Sequence, residues 1–374
     1  MAKLFAWGNN TSGKLGLGDE TNRHTPTQVG TSDWTTIYAA AEHSLGVLGN
    51  KLYTWGSNGF GQLGDGSTTN SHIPIQIGTS DWSVIAGWNH SLGISGNKLY
   101  AWGYNSSGQL GDDSTTNRHT PTQIGTSDWT AIACGSGHSL GISGTKLFAW
   151  GSNAAGQIGD GGTTNRHTPT AIGSSDWTAI ACGESFSLGI SGNKLYAWGS
   201  NGFGQLGDGS TTNRHTPTAI GSSDWTAIAC GSSYSLGISG NKLYAWGRNI
   251  FGSLGDDTET DRHSPTQIGT SDWNVINPGN LHSLALDVNN KLFSWGYNAA
   301  GQIGDGGTTN RHSPVSIGSS DWDSISAGSS FSLGLADLAV GPANVKTYKG
   351  LAASSVKSKK GLVIASIKSV KGVV

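Results

Sequence analysis

The sequence predicts an all-β fold: a seven-bladed β-propeller followed by a short, β-rich basic tail. Three observations predict it. A Trp-Gly pair recurs at Trp7, Trp55, Trp102, Trp150, Trp198, Trp246 and Trp295, spaced by 47 to 49 residues. An Asp-Trp pair keeps step at Trp34, Trp82, Trp129, Trp177, Trp225, Trp273 and Trp322. The chain carries 59 glycines and only 12% charged residues, as short strands joined by tight turns require. Repetition at a fixed period of this size means a solenoid, a propeller or an array.

Each repeat divides into four strands. In one copy, DWTAIACG (224–231), SLGISG (235–240) and KLYAWG (242–247) are β-like runs separated by Gly-Ser or Ser-Gly-Asn turns. A longer loop, such as 57–72, leads to a fourth run of the TPTAIG type, whose proline suits a strand start or an edge strand. Four antiparallel strands with apolar residues on both faces need neighbours on both sides, and a ring of sheets supplies them. The chain opens on a third strand (Lys3–Gly8) and a fourth (25–30), and closes on a first (321–327) and a second (Phe331–Ala336). These halves are expected to form one composite seventh blade that ties the two ends together.

The pattern ACGxxxSLGIxGxKLYAWGxNxxGQLGDG resembles that of the RCC1-type repeat family, whose members are seven-bladed propellers. The resemblance covers residues 3–337, with departures at Tyr38-Ala39-Ala40 and Asn277-Pro278-Gly279. The signatures of WD40 repeats are missing from their expected places. The domain division is therefore a propeller over 1–337 and a tail over 338–374. The resemblance implies a binding role, and allows a guanine-nucleotide exchange factor for a small GTPase or a chromatin binder. Exchange factors of the family carry a protruding insertion, for which the repeat spacing leaves no room. One fold hosts unrelated jobs, so function is sought where the copies differ.

Variation gathers in two windows. One is the turn between first and second strands, including Trp88, Phe186, Tyr234 and Phe331. The other follows Trp-Gly and includes Tyr104, Arg248 and Tyr297, with Phe60, Phe203 and Phe251 in the dipeptides just beyond. First and third strands run the same way, so both windows are expected on one face of the disc, opposite the nearly constant SGNK turns. Surface turns also drift without a selected role. Aromatic side chains, which anchor interfaces and stack on sugars, are not what drift alone favours. These ten residues are the predicted binding face.

Catalytic chemistry is not expected. A histidine precedes the fourth strand in every copy (His24, His72, His119, His167, His215, His263, His312), and such uniformity argues for a scaffold hydrogen bond. Six of the seven follow an arginine that could form a basic rim, partly cancelled by the aspartate of each GDG or GDD loop. The loop 255–263 gathers Asp256, Asp257, Glu259 and Asp261, and is read as a solvated acidic loop in preference to a calcium site. The GxxG runs lack the strand–GxxxxGK[ST]–helix context of a phosphate loop. Cys134, Cys182 and Cys230 hold one position in three successive repeats and read as small buried residues, too far apart to pair. No metal or cofactor is expected.

The tail carries seven lysines and no acid, so it is +7 and the remainder −9. VKTYKGLAASS (345–355), VKSKKGLVIAS (356–366) and IKSVKGVV (367–374) repeat with a period of eleven. They resemble the Lys-Gly repeats at the ends of some bacteriophage tail and other virion proteins. That resemblance implies assembly contacts through Lys346, Tyr348, Lys349, Lys357, Lys359, Lys360, Lys368 and Lys371. The expectation is a virion tail, fibre or decoration protein, made in a host cytoplasm, with the varied face meeting a host surface glycan or protein. A cytoplasmic regulator or a protein inhibitor is the alternative. Neither nucleic-acid binding nor membrane insertion is expected, since a body of −9 opposes phosphate contact and no apolar run is long enough to span.

Overall fold

Seven four-stranded antiparallel sheets form a closed ring in the computed structural model, which describes residues 2–337. Blades 1 to 6 follow one another over residues 36–81, 84–128, 131–171, 179–219, 227–267 and 273–321. Blade 7 is composite: Ser324–Ala327 and Phe331–Ala336 pair with Lys3–Gly8 and then Arg23–Asp33. Lys3 lies opposite Ala336 in that sheet, so the two ends of the propeller are neighbours. The ring closes where the first strand of blade 7 contacts the first strand of blade 1. The expected tail residues 338–374 lie outside the described part.

Local chemistry explains the strand boundaries. In blades 1 to 5 the second and third strands are joined by a two-residue turn, Gly96-Asn97 in blade 2, with φ of 54° and 63°; blade 6 uses three residues, 288–290. Two successive positive φ values make the hairpin turn that matches strand twist, and Gly-Asn is a pair that tolerates it. The fourth strand is the outer edge, and Pro121 and Pro169 fall at its register shifts, where the ladder asks for no N–H from them. On the face of the constant turns each third strand begins with a lysine paired to an aspartate, as in Lys98–Asp128 at 2.7 Å. These exposed pairs contribute little to stability.

The core lies between blades. Each of seven apolar clusters joins residues of adjacent sheets, such as Leu188, Leu206 and Ile220 of blade 4 with Trp225, Ile228 and Trp246 of blade 5. Within a blade the two tryptophans meet edge to face, Trp129 and Trp150 at 5.7 Å. In five of the seven blades the Trp-Gly indole donates to the previous blade, as Trp150 Nε1 does to the Gln109 carbonyl at 2.9 Å; the Trp55 and Trp246 indoles are buried without such a bond. The first strands surround an axial cavity of about 180 Å³ lined by Tyr38, Cys134, Cys182, Cys230, Asn277 and Ser326 among others. The cysteines are unpaired thiols, and burial pushes their pKa values up, so they are weak nucleophiles.

Candidate functional site

The two variable windows do share a face, and the backbone joins them. The residue after Trp-Gly donates its N–H to the turn between first and second strands of the same blade. Ser57 bonds to Glu42 at 2.9 Å, Arg248 to Ser233 at 3.0 Å and Tyr297 to Leu281 at 2.9 Å. Each blade thus presents one continuous ridge made of both windows.

A buried asparagine shapes the loop that carries the outer window. Asn105 is fully buried; its Oδ1 accepts from the Leu110 amide at 3.0 Å and its Nδ2 donates to Asp112 at 3.1 Å and to the Thr116 carbonyl at 3.0 Å. Asp112 in turn binds Arg118 at 2.6 Å. Burial raises the Asp112 pKa, and hydrogen bonds from Ser114 and Arg118 more than offset it, so the carboxyl is held below its usual value. The same asparagine stands in every copy, at Asn10, Asn58, Asn153, Asn201, Asn249 and Asn298. That constancy was legible in the sequence, yet its role as loop organiser was not anticipated.

The repeat arginines form no basic rim, because the loop aspartates near them pair with all six at 2.5–2.7 Å. The histidines before the fourth strand serve as scaffold by a different route from the one expected. It is the main-chain carbonyl that bonds to the preceding blade, His167 O accepting from Asp113 N at 3.0 Å. The ring covers a loop glycine, and a Cβ on Gly108 would come within 2.4 Å of His167 Cδ2. In the acidic loop, Asp256 is bound by Asn249, Thr258 and Arg262, while Asp261 accepts the Asn249 amide. These carboxylates act on the protein's own loop. Among the described residues no three His, Cys, Asp or Glu side chains are grouped to hold a metal ion.

Three of the ten predicted face residues are not on the face. Phe186, Tyr234 and Phe331 are 0–1% exposed. They occupy the position held by His43, His90, His138 and His282 in the other blades, and all seven side chains point into the seams. His43 Nε2 lies 2.7 Å from Ser91 Oγ of the next blade, and Tyr234 Oη lies 2.9 Å from Ser283 Oγ. The window is variable because the seam accepts either a ring that bonds to the serine or one that only packs. A strand-end position with apolar neighbours could have signalled this, but a turn residue reads as exposed when only the sequence is in hand.

Six of the remaining seven reach the face in three pairs. Phe60 packs against Tyr104 with tilted rings and centroids 4.6 Å apart, Phe251 against Tyr297 in the same way at 4.7 Å, and the Arg248 guanidinium sits 4.6 Å over the Phe203 ring. Each pair bridges a seam, from the loop of one blade to the ridge of the next. Phe60 and Phe203 are 42% and 38% exposed, and Trp88 lies half-buried at the rim of the axial cavity. Ile250, 42% exposed, adds an apolar side chain between Arg248 and Phe251.

A closed ring of seven near-identical sheets with one face individually varied defines a repeat propeller. The chain belongs to the regulator of chromosome condensation (RCC1) repeat family, whose model matches residues 2–47, 50–94, 97–142, 146–190, 193–238, 241–286 and 289–335. Among solved structures it is similar to human WBSCR16 (20% identity, TM-score 0.81, covering 90% of this chain and 99% of that one). It is also similar to yeast RCC1 (Prp20) bound to Kap60, at 21% identity and TM-score 0.82 over 90% and 88% of the two chains. A structure of Prp20p from Saccharomyces cerevisiae matches at 22% identity and TM-score 0.82, over 90% and 91%. At these identities the likeness is one of fold. No curated protein matches by sequence.

Proposed function

We propose that this chain is a non-catalytic propeller that binds another protein through its varied face. One observation carries the reading: the copies differ chiefly at seam-bridging pairs on one rim, Phe60–Tyr104, Phe203–Arg248 and Phe251–Tyr297, while the opposite rim repeats one Lys–Asp pair. Aromatic and arginine side chains held rigid by stacking lose little entropy on binding, which is why they dominate interface energies. The four seam histidines are neutral and committed to the framework, so they do not serve as bases; burial holds each pKa at about 3. Affinity capture from the producing cells, with the full chain as bait, tests the reading. Proteins retained by wild type should be lost with Phe60→Ala, Phe203→Ala and Phe251→Ala combined, and kept with Lys98→Ala and Lys194→Ala on the other rim. Equal retention by both variants would sink it.

The setting in a virion and a host glycan or protein as ligand rest on the Lys-Gly repeats of the tail. Deleting 338–374 should then abolish incorporation into particles and leave face binding intact. A second reading, a regulator of the RCC1 kind, is favoured by the family membership; the Prp20p structure is described together with its binding to Gsp1p and histones. The loops between third and fourth strands have one length in every blade, so none projects beyond its neighbours to pry at a nucleotide site. Accelerated nucleotide release from a small GTPase of the same cell would establish this second reading over the first.

A further inference from the structure

One cation stands apart. The chain has 22 Lys and Arg, seven of them in the tail. Of those in the described residues, every one except Arg248 has a carboxylate within salt-bridge reach: seven lysines and six arginines in repeat positions, and Lys14 with Glu42. Among the described residues Arg248 has none, and its guanidinium lies on the Phe203 ring instead. Three of the four acids of its own blade's loop are engaged elsewhere, Asp256 with Arg262, Asp261 with the Asn249 amide and Glu259 3.4 Å from His312, and the fourth, Asp257, makes no salt bridge with Arg248.

Arg248 also sits in the one place where two seam-bridging pairs are continuous. Phe203 of blade 4 covers Arg248 of blade 5; Ile250 and Phe251 follow within the same loop; Phe251 packs against Tyr297 of blade 6. The row thus runs across three blades, with Phe203 and the Arg248 cation at one end and the exposed Ile250 and the half-buried Phe251 and Tyr297 beyond them. By contrast, the seam after Phe60–Tyr104 continues with Ser107 and Ser152, and no aromatic extends it. Stacking on a ring leaves the planar edge of a guanidinium available, and that edge matches a carboxylate with two parallel hydrogen bonds.

Resting on the protein-binding reading above, we infer that the Phe203–Arg248–Ile250–Phe251–Tyr297 row docks a protein segment in which an Asp or Glu lies beside a large apolar residue. The carboxylate pairs with Arg248, and the apolar neighbour covers Ile250 and Phe251. Charge selects the partner here, because a segment with Lys or Arg at that place meets an uncompensated cation in a half-buried setting.

A random dodecapeptide library displayed on phage, panned on the full-length protein, tests this. Enriched peptides should carry Asp or Glu next to an aromatic or aliphatic residue. As synthetic peptides they should bind Arg248→Glu at least about tenfold more weakly than wild type, as loss of a charge-assisted pair implies. Changing the peptide's acid to lysine should restore binding to Arg248→Glu and weaken it to wild type. Unchanged thermal unfolding of Arg248→Glu shows that the fold is intact; if it is not, Arg248→Gln takes its place. Enrichment of peptides without a carboxylate, equal binding to the variant, or no enrichment would overturn the inference. Peptides that depend on Phe60 or Trp88 but not on Arg248 would overturn it while leaving the protein-binding reading standing.

Discussion

His90 and Ser139 meet across the seam between blades 2 and 3, with Nε2 2.8 Å from Oγ, and the serine hydroxyl donates its own hydrogen bond to the Gln109 carbonyl at 2.8 Å. Because the hydroxyl proton is committed, the imidazole must be the donor, which places its hydrogen on Nε2. The same relay runs from His43 through Ser91, from His138 through Ser187 and from His282 through Ser332. In two seams Phe186 and Phe331 stand in its place, and there the serine still bonds back to its loop.

Removing the acceptor should therefore cost more than removing the donor. Ser139→Ala strands a buried N–H, a loss of about 1–3 kcal/mol, whereas His90→Phe imitates seams that already exist and should cost about 1 kcal/mol or less. Denaturant unfolding of the two variants and their combination checks the ranking. The double variant should be no worse than Ser139→Ala alone.

Acid should loosen the ring well above the range of its carboxylates. Burial lowers the pKa of His43, His90, His138 and His282 from 6.5 to about 3, so these rings bind fewer protons folded than unfolded. Their stabilisation is complete above pH 6.5 and falls as pH drops from there toward 3, by about 1 kcal/mol per histidine per pH unit. Carboxyls held below their usual values, such as Asp112, lose their share only further down. Unfolding free energy measured from pH 7.5 to 4.5 should fall steeply in the wild type. It should fall less in a chain with His90→Phe and His138→Phe, and an equal slope would refute the assignment.

Blade 6 shows what a methyl group does beneath the first tryptophan of a repeat. A Cβ on Gly141 would lie 2.5 Å from Trp129 Cζ3, and Gly93, Gly189 and Gly237 are equally crowded. Blade 6 carries Ala285 at this position, and there Trp273 and Trp295 stand 6.2 Å apart instead of the 5.7 Å of Trp129 and Trp150. Gly141→Ala should push Trp129 outward at a cost of about 1–3 kcal/mol, with a visible change in near-ultraviolet circular dichroism. Ala285→Gly should be milder, since it opens only a methyl-sized gap.

Ring closure depends on the composite blade and not on the order of the chain. Deleting 324–337 should leave Lys3–Gly8 and Arg23–Asp33 as a lone hairpin and expose the blade 6 and blade 1 seams, with loss of cooperative unfolding. A circular permutant that joins 337 to 2 through a short Gly-Asn linker and opens between blades 3 and 4, within 172–178, should keep the cooperative transition. Failure of the permutant alone would show that the chain ends do more than meet.

Strand composition, turn chemistry and a repeat that starts out of phase are one-dimensional properties, and seven copies state them redundantly. The propeller, its blade count and the composite blade could be read from the sequence for that reason. So could the face on which both variable windows emerge, because strand direction alternates along the chain. What only the tertiary structure decided is which variable side chains remain outside. Phe186, Tyr234 and Phe331 turn into the seams, and Phe203, Arg248, Phe251 and Tyr297 line up in one row, because both depend on the next blade's surface. The neighbour is 48 or so residues away in the chain and a few ångströms away in space, and no pattern within one repeat records which side chains it will cover.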